Sequence, residues 1–443
     1  MRSNDPNHST HVACMPLFSL NTSWAQHRNN CILFHQNQDQ RTRGIEISVV
    51  KDRGRGIAVS IWDLAGQEEY HAFHDYMMPN IGDAVNPCSF LFLFDPTSEM
   101  HVGEKHRSRK ELKVLKEELT YWLQFIASNT PTKIAFPPQL TVILTHADQD
   151  LHGGLVEWAE QVVQNARATF EGIVNISRNI YALNARSTND VQPVLDFVFE
   201  SSHQLLKRMP QVFAECAIMR HALADRAKDC LIKWNAFCDL CIQKAPTITQ
   251  GNNEQEGFVL KRQKAIAANL HDTGDIIYFE GLEFIVVNPN WFCHDIMGFL
   301  INFRGIPHET EKGFATKPYM EHILAQSLSK ANRNTPSKGG IHLEPNDLMR
   351  LMLNLDICYE QEPGNLDAGI YIPTILDANF SITEREKIGE GNRELTWPPP
   401  QEQNPNWVFL GRRLECKDRI RTFLTPGFFP RLQVRHQHAC TLF

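Results

Sequence analysis

The string Trp62-Asp63-Leu64-Ala65-Gly66-Gln67-Glu68-Glu69-Tyr70 gathers residue types that handle phosphate chemistry. It follows an alternating apolar run, so Asp63 stands at the end of a strand and Gly66 at the start of a loop. A carboxylate in that position can hold Mg²⁺ through water, and a glycine three residues on lets a backbone N–H come close to a terminal phosphate. The residue after it, Gln67, can orient an attacking water. A bare D-x-x-G is common in proteins; after a strand pair and before Gln-Glu-Glu-Tyr it is specific, and a plain turn with a charged exit is the weaker account.

A second group, Thr145-His146-Ala147-Asp148, ends a later apolar run. There a carboxylate can accept both N–H groups of a guanine edge and so reject adenine. An Asp that ends a strand before a helix is also an ordinary N-cap, and both readings stand. After one further strand, Asn184-Ala185-Arg186 could contact the same base, with a simple strand end as the alternative.

The surrounding pattern supplies elements to position these residues. Ile45, Ile47 and Val49 alternate with polar residues, as do Ile57, Val59 and Ile61, with two glycines between them, which predicts a β-hairpin. The continuous run Ser89 to Phe94 predicts a strand buried on both faces of a parallel sheet. A helix over Lys105 to Ser128, a strand at Thr141 to Thr145, a helix over 155 to 170, a strand at Ile180 to Ala185 and a helix from Asp190 to Lys207 complete a β/α alternation. Beyond Pro210 the pattern turns helical, with one long helix expected over Ala214 to Lys244 and a Gly/Asn/Glu-rich break at 250 to 257. A helix, a strand pair at Ile276 to Phe279 and Phe284 to Val287, a helix opened by Pro289 to Trp291, a helix at Asn346 to Leu355 and a strand at Gly369 to Ile375 follow. Helices ahead of a small hairpin suggest a winged-helix arrangement.

Composition narrows the classes. The 443 residues are too many for one ordinary core, and 42% apolar with 21% charged is globular. Fifty-one acidic against 44 basic side chains give a net charge of −7, which disfavours nucleic acid as a partner. No transmembrane segment or signal peptide is expected, and eleven scattered Cys read as reduced thiols of a cytoplasmic protein. Cys238-Asp-Leu-Cys241 has the spacing of a zinc half-site but lies in an apolar helical pattern, where buried thiols are the better account. His71 and His74 read as solvated loop histidines with a switch-lining role as the alternative, Lys105 to Lys116 as a solvated helix face, and Trp407 to Leu410 with Phe428-Phe429 as core or dimer contact.

Taken together the motifs resemble the Roco family, in which a Ras-like Roc GTPase domain is followed by a COR domain. Thr42-x-Gly44-Ile45 resembles the family's switch I, Asp63 to Gln67 its switch II, and Thr145 to Asp148 its guanine-specificity motif. Leu270-His271-Asp272-Thr273-Gly274-Asp275-Ile276-Ile277-Tyr278-Phe279, then Val287-Asn288-Pro289-Asn290-Trp291, then Phe423 to Val434, resemble successive COR signatures. The resemblance covers about 41 to 435, and its details are similar to a plant leucine-rich-repeat member.

It implies an α/β Ras-like P-loop GTPase fold over 41–210, a mainly α COR part with a winged helix over 211–390, and the start of a further COR part over 391–443, after an irregular tail at 1–40. It also implies GTP/GDP and Mg²⁺ as cofactors, a homodimer formed through COR, protein effectors, and signalling in plant development. By the same resemblance Gln67 positions water, Thr42 and Asp63 hold Mg²⁺, Gly66 senses the γ-phosphate, and Thr145, His146, Asp148, Asn184 and Ala185 surround the base.

One departure is large. The family's G-x-x-x-x-G-K-[ST] loop cradles phosphates through its N–H groups and Lys, yet Gly-Lys occurs nowhere in the chain and no glycine precedes Gly44. The expectation is therefore a fold lacking its first strand and phosphate loop, a piece of a longer protein, impaired in nucleotide binding or serving as a non-catalytic interaction module.

Overall fold

The computed structural model describes residues 14–20, 24–27, 31–34, 45–52, 54, 57–64, 88–97, 108–131, 136–150, 153–207, 214–226, 229–249, 257–280, 282–293, 314–333, 344–354, 356–362, 364–372 and 420. Thr42, Gly66, Gln67, His71, His74, Trp407 to Leu410 and Phe423 to Val434 lie outside them. So does nearly all of 391–443.

The first half is a six-stranded sheet. Its strands are β1 (Cys14–Leu20), β4 (Ile45–Asp52), β5 (Ile57–Leu64), β6 (Ser89–Phe94), β7 (Gln139–Leu144) and β8 (Asn175–Ala182), in the order β4-β5-β1-β6-β7-β8. A separate hairpin pairs β2 (Trp24–His27) with β3 (Cys31–Phe34). Only β4 is antiparallel to its neighbour; the other five strands run parallel. Every residue of β6 is buried, as its unbroken apolar run requires of a strand covered on both faces. Helices α1 (Leu112–Ser128), α2 (Leu155–Thr169) and α3 (Thr188–Leu206) supply the cover; α1 turns Leu115, Leu119, Trp122, Leu123 and Ile126 inward at helical spacing.

β1 corrects the expectation of a fold without its first strand and of an irregular tail over 1–40. Cys14 to Leu20 pairs with Ala58 to Leu64 on one side, and Leu17 to Leu20 pairs with Ser89 to Phe92 on the other. Pro16, which has no N–H, falls in the stretch that β6 does not reach, so the ladder on that side loses no donor. That proline, and the absence of any alternation, hid the strand in the sequence.

The second half begins with α4 (Ala214–Ala224), β9 (Leu231–Lys233), α5 (Trp234–Lys244) and α6 (Phe258–Asp272). The single helix expected over Ala214 to Lys244 is thus broken: Leu231 and Ile232 are buried as a strand pairing with β10 (Phe284–Val286), which fixes the break. For the same reason Ile276 to Phe279 contributes only one bridge, Ile277 to Val286, where a strand pair was expected. The helices enclose Met219, Phe237, Leu240, Cys241, Ile266 and Leu270. A last group joins β11 (Phe314–Ala315), α7 (Lys317–Arg333), α8 (Pro345–Asn354), β12 (Tyr359–Glu362) and β13 (Asn365–Tyr371), the strands forming an antiparallel sheet β11-β13-β12. No described helix is long and apolar enough to cross a membrane.

The two halves share a core at the β4 edge, where Ile45, Ile47, Trp62 and Leu64 join Leu231, Ile277, Val286, Trp291 and Phe292. The thiols in the core of the helical half are packing groups: burial pushes Cys241 on α5 up to about 12 and Cys216 on α4 up to about 11, so both stay neutral.

His271, at the end of α6, has its ring against Phe279 at 5.4 Å and its Nδ1 accepts the Tyr278 N–H at 3.4 Å. Desolvation lowers its pKa from 6.5 to about 4. Because the folded value lies below the unfolded one, its contribution to stability is complete above pH 6.5 and declines as the pH falls toward 4. Between pH 7 and 5 this group alone is expected to cost about 1 to 2 kcal/mol. Urea titrations at both values check it: His271→Phe should show a smaller loss than the parent, and an equal loss would remove His271 as a source.

Candidate functional site

In an open parallel sheet, ligands bind beyond the carboxyl ends of the strands, where neighbouring crossovers diverge to opposite sides. Here β1 sits at that divide, between β5 and β6. Asp63, the penultimate residue of β5, lies beside Ser19 of β1 in the parallel ladder and is 4% exposed. The residues after Leu20 are Asn21-Thr22-Ser23 and then β2.

At the same edge, the loops after β7 and β8 are tied to one another. The Leu183 N–H donates to Leu144 O at 2.9 Å, and the Ala147 N–H donates to Leu183 O at 3.2 Å. Thr145 is fully buried; its N–H donates to Phe94 O at 2.8 Å and its hydroxyl to the same oxygen at 3.3 Å, tying the loop to β6 as well. Asn184 turns the second loop, its Oδ1 accepting the Arg186 N–H at 2.9 Å, while Ala185 is buried. Thr145, His146, Asp148, Asn184 and Ala185 are thereby brought to one place. The structure describes Asp63 on the same edge but leaves Thr42, Gly66 and Gln67 outside its described residues.

The cap reading of Asp148 does not hold. Asp148 lies inside the short 3₁₀ turn Ala147–Gln149, whose N-cap is His146, and α2 is capped by Gly154. Its side chain is exposed and makes no hydrogen bond or ion pair with the described residues. Ser187 is the side chain that caps a helix here, its Oγ accepting the Asp190 N–H of α3 at 3.4 Å.

Two features were not found by sequence reasoning. His146 adopts φ 55°, unusual for a residue with a side chain, and its Nδ1 lies 3.4 Å from Asp95 Oδ2 and 3.1 Å from Thr145 Oγ. Asp95 is in turn oriented by the Thr97 N–H at 2.9 Å and the Thr97 hydroxyl at 2.6 Å. The available signal was its position: Asp95 follows Phe94 as Thr145 follows Leu144, the first polar residue after a buried run.

The second feature is Arg109. It was expected on a solvated helix face; instead α1 starts only at Leu112 and the Arg109 guanidinium grips Asp150 in bidentate fashion, at 2.5 and 3.1 Å. It also donates to Gly153 O at 2.7 Å and lies over the Trp158 ring at 5.6 Å. This clamp fixes the far end of the loop that carries Asp148. Lys113 and Glu117, an exposed pair one turn apart on α1, do match the solvated face.

No family model matches the chain. It is 31% identical over 405 residues to the protein TORNADO 1 of Arabidopsis thaliana, covering 89% of this chain and 27% of that protein. The chain thus spans about a quarter of the length of the curated relative it matches. Among solved structures, Methanosarcina barkeri Roco2 RocCORdC bound to GDP superposes with a TM-score of 0.49 at 16% identity, covering 82% of this chain and 96% of that one. The Arl6 BBS3 small GTPase of Trypanosoma brucei with bound GppNp gives a TM-score of 0.29 at 14% identity, over 43% of this chain and 99% of its own.

The Arg109 clamp makes a stability prediction. Arg109→Ala leaves the Asp150 carboxylate, 4% exposed, without its guanidinium and should cost roughly 3 kcal/mol. Arg109→Met combined with Asp150→Leu should recover most of that loss in urea unfolding. Equal losses for the single and double variants would show that the pair does not act as a unit.

Proposed function

We propose, from the premise that the chain is a homologue of TORNADO 1 and a relative of the Roco Roc–COR proteins, that it is a guanine-nucleotide switch module with a weakened phosphate grip. The observation that carries the reading is the convergence of loops at the carboxyl edge of the sheet. Asp63 next to β1, and Thr145 to Asp148 next to Asn184 and Ala185, occupy the side on which such sheets bind ligands.

In this reading the Asp148 carboxylate, exposed and unpaired with the described residues, accepts the guanine N1–H and exocyclic N–H. Ala185 offers backbone to the base, Asn184 shapes the loop beneath it, and His146 with Thr145 holds the loop in place. Asp63 fits a Mg²⁺ site, because a buried carboxylate oxygen at a strand end is the hard donor that a small divalent cation takes, directly or through water. Thr42 would join it, Gly66 would sense the γ-phosphate through its N–H, and Gln67 would orient the attacking water. When bound, Mg²⁺ would neutralise charge on the phosphates.

The weakness lies in the phosphate cradle. Gly-Lys is absent from the sequence, and the residues after Leu20 do not form a G-x-x-x-x-G-K-[ST] loop. Charge-assisted hydrogen bonds contribute roughly 1.5 to 3 kcal/mol each, so losing three weakens binding by more than about a thousandfold. The second half, with α7 and α8 preceding the β12–β13 hairpin, is read as COR with a winged-helix part that dimerises. We infer a cytoplasmic location from the eleven scattered Cys, and signalling in plant development from the family resemblance.

A second reading, a non-catalytic interaction module, is favoured by the same missing cradle. Calorimetry of the chain with GTP, GDP and ATP in Mg²⁺ separates the two. Guanine-selective binding of about millimolar strength supports the weakened switch, submicromolar affinity would overturn the weakening, and no guanine preference at all leaves the interaction module.

Asp148→Asn sharpens the test. Because Asp148 caps no helix, its stability should change little. Swapping an acceptor for a donor at the base edge should shift preference from GTP toward xanthosine triphosphate in competition binding. An unaltered ranking withdraws the guanine assignment. For the chemical step, Gln67→Leu should slow single-turnover hydrolysis while leaving affinity nearly unchanged.

A further inference from the structure

Among the described residues β4 is the outer strand of the sheet, and no described strand pairs with its outward N–H and C=O groups. At Ile47 they are met by a side chain of the helical half. The Asn290 carboxamide oxygen accepts the Ile47 N–H, and its NH₂ donates to the Ile47 C=O. One side chain thus reproduces a rung of β-ladder across 243 residues of sequence.

Directly across the hairpin, Ile47 pairs with Trp62 of β5. The Trp62 indole, its Nε1–H held by Ser60 Oγ at 3.1 Å, packs against Gly274, where a Cβ would come within 2.4 Å of the ring. Gly274 has φ +77°, so two independent constraints exclude a side chain there. Its turn is rigid: Arg220 on α4 holds Asp275 at 2.7 Å and Thr273 at 3.2 Å, and the Thr273 hydroxyl donates to Asp275 at 2.5 Å. On either side of Asn290, the Asn288 Oδ1 accepts the Trp291 N–H at 3.1 Å. The helical half therefore grips a single rung of the hairpin from two sides.

That hairpin connects the two segments assigned above to the γ-phosphate. Thr42 lies three residues ahead of Ile45, and Asp63 immediately follows Trp62. We propose, building on the nucleotide-switch reading, that Asn290 and Gly274 are positioning residues that couple the nucleotide state of this hairpin to the helical half. GTP holds both ends of the hairpin; GDP lacks the phosphate that would do so. Outward amides recur only at every second residue of a strand, about 7 Å apart, so Asn290 cannot follow a partial slide. The contact is made or broken, which is what a two-state coupling needs, and by linkage what the helical half feels in the GTP state it returns as a change in GTP affinity.

The test uses the full chain with Mg²⁺ and either GDP or a non-hydrolysable GTP analogue at a concentration about tenfold above the dissociation constant found by calorimetry. Hydrogen exchange of the parent should differ between the two nucleotides at 271–276 and 286–291, as well as around 145–148. Asn290→Ala should abolish the difference in the helical half and shift the ratio of GTP-analogue to GDP affinity by about five- to tenfold. Asn290→Asp, which keeps the acceptor but turns a second oxygen toward the Ile47 C=O, should disrupt the coupling at least as much as Asn290→Ala, and the parent measurement stands even if a variant folds poorly. Nucleotide-dependent exchange at 145–148 with none in the helical half, or an affinity ratio that stays at the parent value in Asn290→Ala, overturns the coupling and leaves the nucleotide site intact. No nucleotide effect even at 145–148 removes the site reading, and the coupling with it.

Discussion

The structure depends first on the pairing of β1 between β5 and β6. Parallel strands buried on both faces have no water to satisfy their N–H and C=O groups, so a gap in the middle of the sheet would leave two rows of polar atoms unpaired. Cys14 to Leu20 closes that gap. With it in place the sheet has one topological divide, and the ends of β5, β6, β7 and β8 align into a single edge that carries every described candidate residue. Without it, Asp63 and Thr145 would belong to separate fragments.

The second constraint is the open edge. An exposed strand invites pairing with another chain, and this protein covers the edge with its own helical half through Ile45, Ile47, Trp62, Trp291 and Phe292. The cover is specific as well as apolar, because the carboxamide of Asn290 pairs with one residue of β4 and Gly274 fits one ring of β5. The two halves are therefore joined at the β4–β5 hairpin, and the join involves backbone on one side and side chain on the other.

Around the candidate base site, rigidity comes from polar contacts between neighbouring loops. Thr145 ties its loop to β6, Ala147 ties it to the loop after β8, and Arg109 clamps its far end through Asp150. His146 is held against Asp95 in a left-handed conformation. Within this scaffolding Asp148 is exposed and caps neither the 3₁₀ turn nor α2.

Much of this was decided by the sequence alone. The β4–β5 hairpin, the buried strand Ser89–Phe94 and the helices near 155 to 170 and 190 to 207 follow from local periodicity, because burial on one face or on two leaves its mark on successive residues. The order of the motifs around Asp63, Asp148 and Gly274 was equally plain. Other features were settled only by tertiary structure. Cys14 to Leu20 is a strand because a place between two strands awaits it, and Pro16 is tolerated because one neighbour stops short. Leu231 to Lys233 leaves a helical context because Phe284 to Val286 pairs with it. Arg109 is a clamp, and Asn290 a rung of the sheet, only through partners 41 and 243 residues away. Periodicity records which face of a segment is buried; it carries no record of which distant backbone group a particular side chain will meet.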